Sequence, residues 1–226
     1  ILILSEKADY TVLDSLLGKD IKKYFEPSSG AILQFGFTNK NYWINFTVEN
    51  STNDSLWLEF ENAYIPFVKL YSVSENGTID STIAGYKIPL KNKTIKSHYQ
   101  IFPLKKGKYN YYAYLKPLMH PIPVNIYEAE KYKIKTSKET LIYGVYIGIL
   151  FFTIALNIFL FITLKKRYYL FFSILIFLYL GSSLSVMEGY ILYLFPKTDL
   201  MNWYKIVPVL DMPALLLYCM SVLDIK

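Results

Sequence analysis

From Leu141 to Leu164 the chain runs 24 residues without a charged side chain. As a helix this run would be about 36 Å long, enough to cross a hydrocarbon core of ~30 Å with some tilt. Core helices of globular domains alternate apolar and polar faces, and this run does not. A second apolar run, Tyr168 to Phe195, is broken only by Glu188 near its far end, where a carboxylate can reach the bilayer interface. The third, Ile206 to Leu223, holds Asp211 between Pro208 and Pro213. A central Asp costs an inserted helix ~2.5 to 3.5 kcal/mol, which Leu210, Leu215, Leu216 and Leu217 offset in part at about −0.5 kcal/mol each. Asp211 is therefore expected to face other helices or a wet cavity, either bonded to a neighbour or acting as a coupling residue.

Ahead of these runs the chain has another character. Up to about Lys138 it mixes Lys, Asn, Ser and Tyr with isolated apolar residues, so the reading is an outer domain over 1–138 and three membrane helices over 139–226. Lys165, Lys166 and Arg167 fill the short break between the first two helices and should stay in the cytoplasm. The first helix then runs inward, the domain before it is extracytoplasmic, and the Pro196 to Lys205 loop lies outside, anchored by Trp203 and Tyr204. Gly144 and Gly148 on the first helix, and Gly181, Ser185 and Gly189 on the second, are spaced for close helix approach. Bundle packing is one use of such faces and a homodimer is the other.

A net charge of +6 raises the question of a nucleic-acid partner. The basic residues are spread along the chain and are Lys apart from Arg167, with no basic stripe, so membrane lipid is the better partner. The single cysteine, Cys219, lies in an apolar run, which excludes an internal disulfide framework. The outer domain must stand on its own core. Beginning at Ile1 and ending just after an apolar run, the chain is expected to be a piece of a longer protein.

In the outer half Tyr42, Ile44, Phe46 and Val48 alternate with Trp43, Asn45, Thr47 and Glu49, the period of a half-buried strand. Leu56 to Phe60, Phe67 to Val73, Tyr99 to Leu104, Tyr109 to Leu115 and Val124 to Tyr127 read as further strands, rich in aromatic and β-branched residues. Asn76-Gly77, Lys106-Gly107-Lys108 and Pro121-Ile122-Pro123 supply turns between them. Strands so spaced, with no helical period between them, describe an antiparallel β-sandwich, here taken as jelly-roll-like, with a short helix or loop over Asp14 to Phe25.

No catalytic pattern stands out. His98 and His120 are the only histidines and are not spaced as a metal pair, and no GxSxG, HExxH or Gly-rich phosphate loop occurs. Neither catalysis, a metal nor a cofactor is assigned. Five Asn-x-Ser/Thr triplets begin at Asn45, Asn50, Asn53, Asn76 and Asn92, and the Asn-rich composition explains them as well as glycosylation does. Aromatic residues suit a planar-faced ligand such as a sugar, though strand propensity enriches them anyway. Trp43, Trp57, Tyr71 and Tyr99 are the candidate ligand-binding set.

The run Tyr42-Trp43-Ile44-Asn45-Phe46 into Val48-Glu49-Asn50, then Leu56-Trp57-Leu58-Glu59, then Phe67-Val68-Lys69-Leu70-Tyr71, then Gly85 before Pro89, resembles the outer domain of bacterial seven-transmembrane receptors with diverse intracellular signalling modules. Tyr143-Gly144-x-x-x-Gly148, Asn157-x-x-Leu160-Phe161 and the Lys165 to Tyr169 turn are similar to that family's first helices, so the likeness covers Asn41 to Lys226. It implies a carbohydrate-binding-like sandwich, a seven-helix bundle and a cytoplasmic kinase, phosphatase or cyclic-nucleotide module. The family's usual Arg after the strand Trp is Ile44 here, and its acidic residue after the Gly is Tyr86, which unsettles any transferred ligand site.

The leading expectation is a sensory receptor whose sandwich binds a small ligand, with a saccharide as one option, and shifts the helix bundle between two packings. A membrane-anchored carbohydrate-binding or adhesion protein is the alternative. A transporter or membrane enzyme subunit working through Asp211 is a third.

Overall fold

The alternating segment Tyr42–Asn50 pairs along its whole length with Gly107–Leu115, from Tyr42 opposite Leu115 to Asn50 opposite Gly107. These two long strands form the spine of the outer domain in a computed structural model of the chain. The structure describes residues 1–5, 25–28, 30–36, 38, 40–52, 54–116, 120–182, 189–190 and 200–223. The expected element at Asp14 to Phe25 lies outside these residues except for Phe25.

In chain order the strands are β1 (Leu2–Ser5), β2 (Glu26–Pro27), β3 (Ile32–Leu33), β4 (Tyr42–Asn50), β5 (Leu56–Phe60), β6 (Val68–Ser74), β7 (Ile79–Ala84), β8 (Gln100–Pro103), β9 (Gly107–Leu115) and β10 (Ile122–Glu128). They make two antiparallel sheets, one ordered β2-β1-β4-β9-β6-β7 and the other β3-β10-β5-β8. The outer domain is thus a β-sandwich, as the alternation predicts. Ile44 on β4, Val68 and Leu70 on β6, Tyr111, Ala113 and Leu115 on β9 meet Leu58, Phe60, Phe102 and Ile122 from the smaller sheet in one buried core. Burying a large apolar side chain contributes roughly 1.5 to 3 kcal/mol. Tyr111 is the polar exception in that core, and its hydroxyl accepts the Lys105 backbone N–H at 2.9 Å, which keeps it satisfied.

β7 is a strand that the residue pattern does not announce. It follows β6 through a turn in which Gly77 adopts φ 78°, and its N–H donates to the Ser74 carbonyl at 3.0 Å. β7 is the edge strand of its sheet, so it needs few apolar residues. The chain then leaves β7 for β8 in the opposite sheet through residues 85–99. Gly85 makes that exit possible: at φ 138° its α-carbon lies so close to Pro66 that an added Cβ would sit 2.3 Å from the Pro66 carbonyl oxygen.

Among the described residues three helices follow: α1 (Ala129–Leu164), α2 (Arg167–Ser182) and α3 (Leu200–Val222). The helix α1 is 36 residues long and begins 12 residues before the apolar run, because Ala129 to Thr140 is rich in strong helix formers. Lys135 and Glu139 add an i,i+4 ion pair at 3.8 Å. The residues between the last strand and the apolar run are therefore helical. Lys165, at φ 57°, turns the chain from α1 into α2. α3 starts at Leu200, inside the stretch expected to be a loop, and continues through Pro208 and Pro213. Prolines are tolerated in membrane helices, where neighbouring groups satisfy the freed carbonyls. Among the described residues α1 alone is long and apolar enough to span a bilayer by itself; the apolar parts of α2 and α3 are Arg167–Gly181 and Val209–Val222. The compact units are Ile1–Tyr132 and Lys133–Lys226, while the composition changes near Lys138.

Candidate functional site

The four aromatic residues singled out from the sequence separate into two places. Trp43 and Tyr71 come together on the face of the six-stranded sheet turned away from the core, with ring centroids 5.9 Å apart. Trp57 lies on β5 of the other sheet, 5.4 Å from the ring of Tyr132. Tyr99 precedes β8, its ring 4.1 Å from that of His98.

Strand order explains the first pair. β9 lies between β4 and β6, and the register sets Trp43 opposite Tyr114 and Tyr71 opposite Tyr112. Alternation sends all four rings to the same outer face. Trp43 is fully buried beneath Leu4, Tyr112 and half-buried neighbours that include Phe25, Tyr71 and Tyr114. Trp43 is thus the floor of the patch, and Tyr71 and Tyr114 are the half-exposed rings above it. Lys69 Nζ sits 4.7 Å from the Tyr71 ring centre, a cation–π contact.

A row of amides and hydroxyls borders the rings. Asn45 Nδ2 donates to Asn110 Oδ1 at 2.8 Å and to the Tyr111 carbonyl at 3.1 Å. Thr47 Oγ1 donates to the same Asn110 oxygen at 3.3 Å, and Asn110 Nδ2 donates to the Tyr112 hydroxyl at 2.9 Å. Burial pushes the Tyr112 phenol above its ordinary range, so it stays protonated. This face offers flat apolar surface beside preset hydrogen-bonding groups, and the row continues from Thr47 to the exposed carboxylate of Glu49 on the same face of β4.

A buried polar cluster was not visible in the sequence. Glu59, Asn62, Lys93, Ser97, His98 and Gln100 are all buried. Lys93, only 6% exposed, donates through Nζ to the Ser97 carbonyl at 3.0 Å and to Gln100 Oε1 at 3.1 Å. Burial lowers its amine to about 8. Gln100 Nε2 donates onward to the carbonyls of Asn62 and His98 at 3.3 and 3.2 Å. The Asn62 side chain accepts the Tyr64 N–H at 2.8 Å and donates to the Pro121 carbonyl at 3.0 Å. Ser97 Oγ lies 3.3 Å from the hydroxyl of Tyr132, in the first turn of α1. Polar side chains are the residues least often buried, so no local pattern signals such a cluster.

In the helical unit Gly144, Gly148 and Gly181 have open space where a Cβ would stand. Ser185 lies outside the described residues. α2 packs on α3 with the rings of Phe172 and Tyr218 5.2 Å apart, and Ser173 Oγ reaches the Ile154 carbonyl of α1 at 3.5 Å. Asp211 borders an apolar cavity of about 300 Å³ between α2 and α3, with Leu175, Ile176, Tyr179, Met212 and Leu215. Its Oδ1 is shielded from solvent and makes no hydrogen bond among the described residues.

Comparison with protein families gives two adjoining matches. A family model described as 7TMR-DISM extracellular 2 matches residues 5–127, and one described as 7TM diverse intracellular signalling matches residues 139–226. Comparison with curated proteins found no match.

Proposed function

The chain belongs to the seven-transmembrane receptors with diverse intracellular signalling modules, and on that premise we propose that its extracellular sandwich takes a saccharide on the outer face of the six-stranded sheet. It is a membrane receptor, with a sensing domain ahead of its membrane helices. The observation that carries the ligand class is the pairing of half-exposed Tyr71 and Tyr114 rings, propped on buried Trp43, with the Asn45, Thr47 and Asn110 row. Sugar rings present C–H faces that rest on aromatic rings and hydroxyls that exchange hydrogen bonds with amides.

Charge supports the orientation. Lys165, Lys166 and Arg167 remain in the cytoplasm, α1 runs inward, and the sandwich faces outward. Occupancy of the sandwich biases the helix bundle by no more than the ligand's difference in affinity for the two bundle states.

The test is an oligosaccharide array probed with the full chain in lipid nanodiscs. A bound glycan should lose about tenfold or more in affinity, ~1.4 kcal/mol, in Tyr71→Ala and Tyr114→Ala. Equal binding by both variants would remove the site from this face, and an array without a hit would remove the saccharide.

A further inference from the structure

We propose that Tyr132 is the positioning residue through which the sandwich holds the first membrane helix, gripped by Trp57, Tyr127 and Ser97 and set by the buried hydrogen-bond network around Lys93. The proposal rests on the receptor reading in one respect: a receptor needs a defined mechanical output from its sensor, whereas a tether does not.

Tyr132 stands out within its own helix. It is 4% exposed while Lys131, Lys133 and Ile134 beside it are exposed, so one residue of the first turn is embedded and its neighbours are not. Its ring packs 5.4 Å from Trp57 and 6.0 Å from Tyr127, two residues that the register sets opposite each other on β5 and β10. Its hydroxyl meets Ser97 Oγ at 3.3 Å. The grip thus draws on two neighbouring strands and on the segment that crosses between the sheets.

Ser97 is itself held. Its carbonyl accepts from Lys93, and Lys93 binds Gln100 at the start of β8. Gln100 leads to Asn62, and Asn62 to Pro121 ahead of β10. A buried network of this kind rearranges as a unit, because breaking one bond strands a partner away from water. Movement of β5, β8 or β10 is therefore passed to the Tyr132 hydroxyl. Tyr132 is also the last residue of the outer compact unit, and α1 continues as unbroken helix for the next 32 residues to Leu164. Whatever the sandwich passes along the chain enters the membrane unit here.

Amide hydrogen exchange on the full chain in lipid nanodiscs, without ligand, tests the grip in two variants. Tyr132→Phe keeps the ring and removes the hydroxyl. Ser97→Ala removes its partner from 35 positions away in the sequence. Each is expected to speed exchange of residues 133–139 about fivefold, roughly the worth of one hydrogen bond, with β4 and β9 amides unchanged. Unchanged exchange at 133–139, or equal acceleration in the strands and the helix start, overturns the grip. Because no ligand is present, failure here leaves the saccharide reading standing, and a glycan array without a hit leaves the grip standing.

Discussion

The outer faces of the two sheets are furnished in opposite ways. On the six-stranded sheet, half-exposed Tyr71 and Tyr114 stand beside an Asn-Thr row whose hydrogen bonds are already made with one another and with the buried Tyr112. On the four-stranded sheet Glu59 is fully buried, Ile101 opposite it is 3% exposed, and Trp57 lies under Tyr132. One face is left open, and on the other a residue of the chain's own helix start packs on Trp57. A sensor needs both, and a sandwich provides them without sharing a single residue. The core between the sheets is what connects them.

The largest effects should come from the structural floor of each side. Trp43→Ala removes a fully buried side chain and is expected to cost the outer domain about 3 to 5 kcal/mol, read by proteolysis of the full chain against urea concentration. A loss below ~1 kcal/mol would mean that Trp43 is exposed in solution and stacks on ligand directly. On the other side, Gly85→Ala forces a Cβ to within 2.3 Å of the Pro66 oxygen at φ 138°. It should cost about 3 kcal/mol, combining backbone strain with the clash, and loosen the 85–99 segment that carries Lys93 and Ser97.

How far these two faces were legible follows from the range of the interactions. Alternation from Tyr42 to Glu49 showed that Trp43 and Ile44 point opposite ways, and the structure agrees. That Trp43 meets Tyr71 depends on β9 lying between β4 and β6, a long-range pairing that no window of sequence contains. β7 sets Asp80 and Ser81 between Ile79 and Thr82-Ile83, too short and mixed a run to stand out as a strand, yet Asn76-Gly77 marked the turn before it. Hydropathy located α1 in the membrane but not its start, because Lys and Glu lower hydropathy while favouring helix. The cluster around Lys93 was hidden because only the folded course of residues 85–99 removes that lysine from water.

The buried amine gives the occupied face its own pH signature. Lys93 falls from 10.5 to about 8 on folding, a difference of about 3 kcal/mol in favour of the neutral form. Since the folded value lies below the unfolded one, the native state binds fewer protons between about pH 8 and 10.5, and its stability rises with pH across that window. Below about 8 the cost of the buried charge is constant. Lys93→Met removes the titration, so melting curves should show wild type gaining on the variant between pH 7 and 10. A gap that stays constant would mean that Lys93 titrates in water.

Tyr71→Ala is the smallest expected effect on stability and the sharpest on the comparison. The ring is half-exposed and packs on Trp43, so its loss should cost about 1 kcal/mol, well under that of the tryptophan below it. Lys69 loses its ring contact and returns to solvent, a minor addition. If the open face is the ligand face, binding falls at least tenfold while the fold and the exchange at residues 133–139 stay as in wild type without ligand. The result that would undo the division is loosening of 133–139 in ligand-free Tyr71→Ala. The two faces would then be one mechanical unit at rest, and occupancy would act by releasing a strain already present.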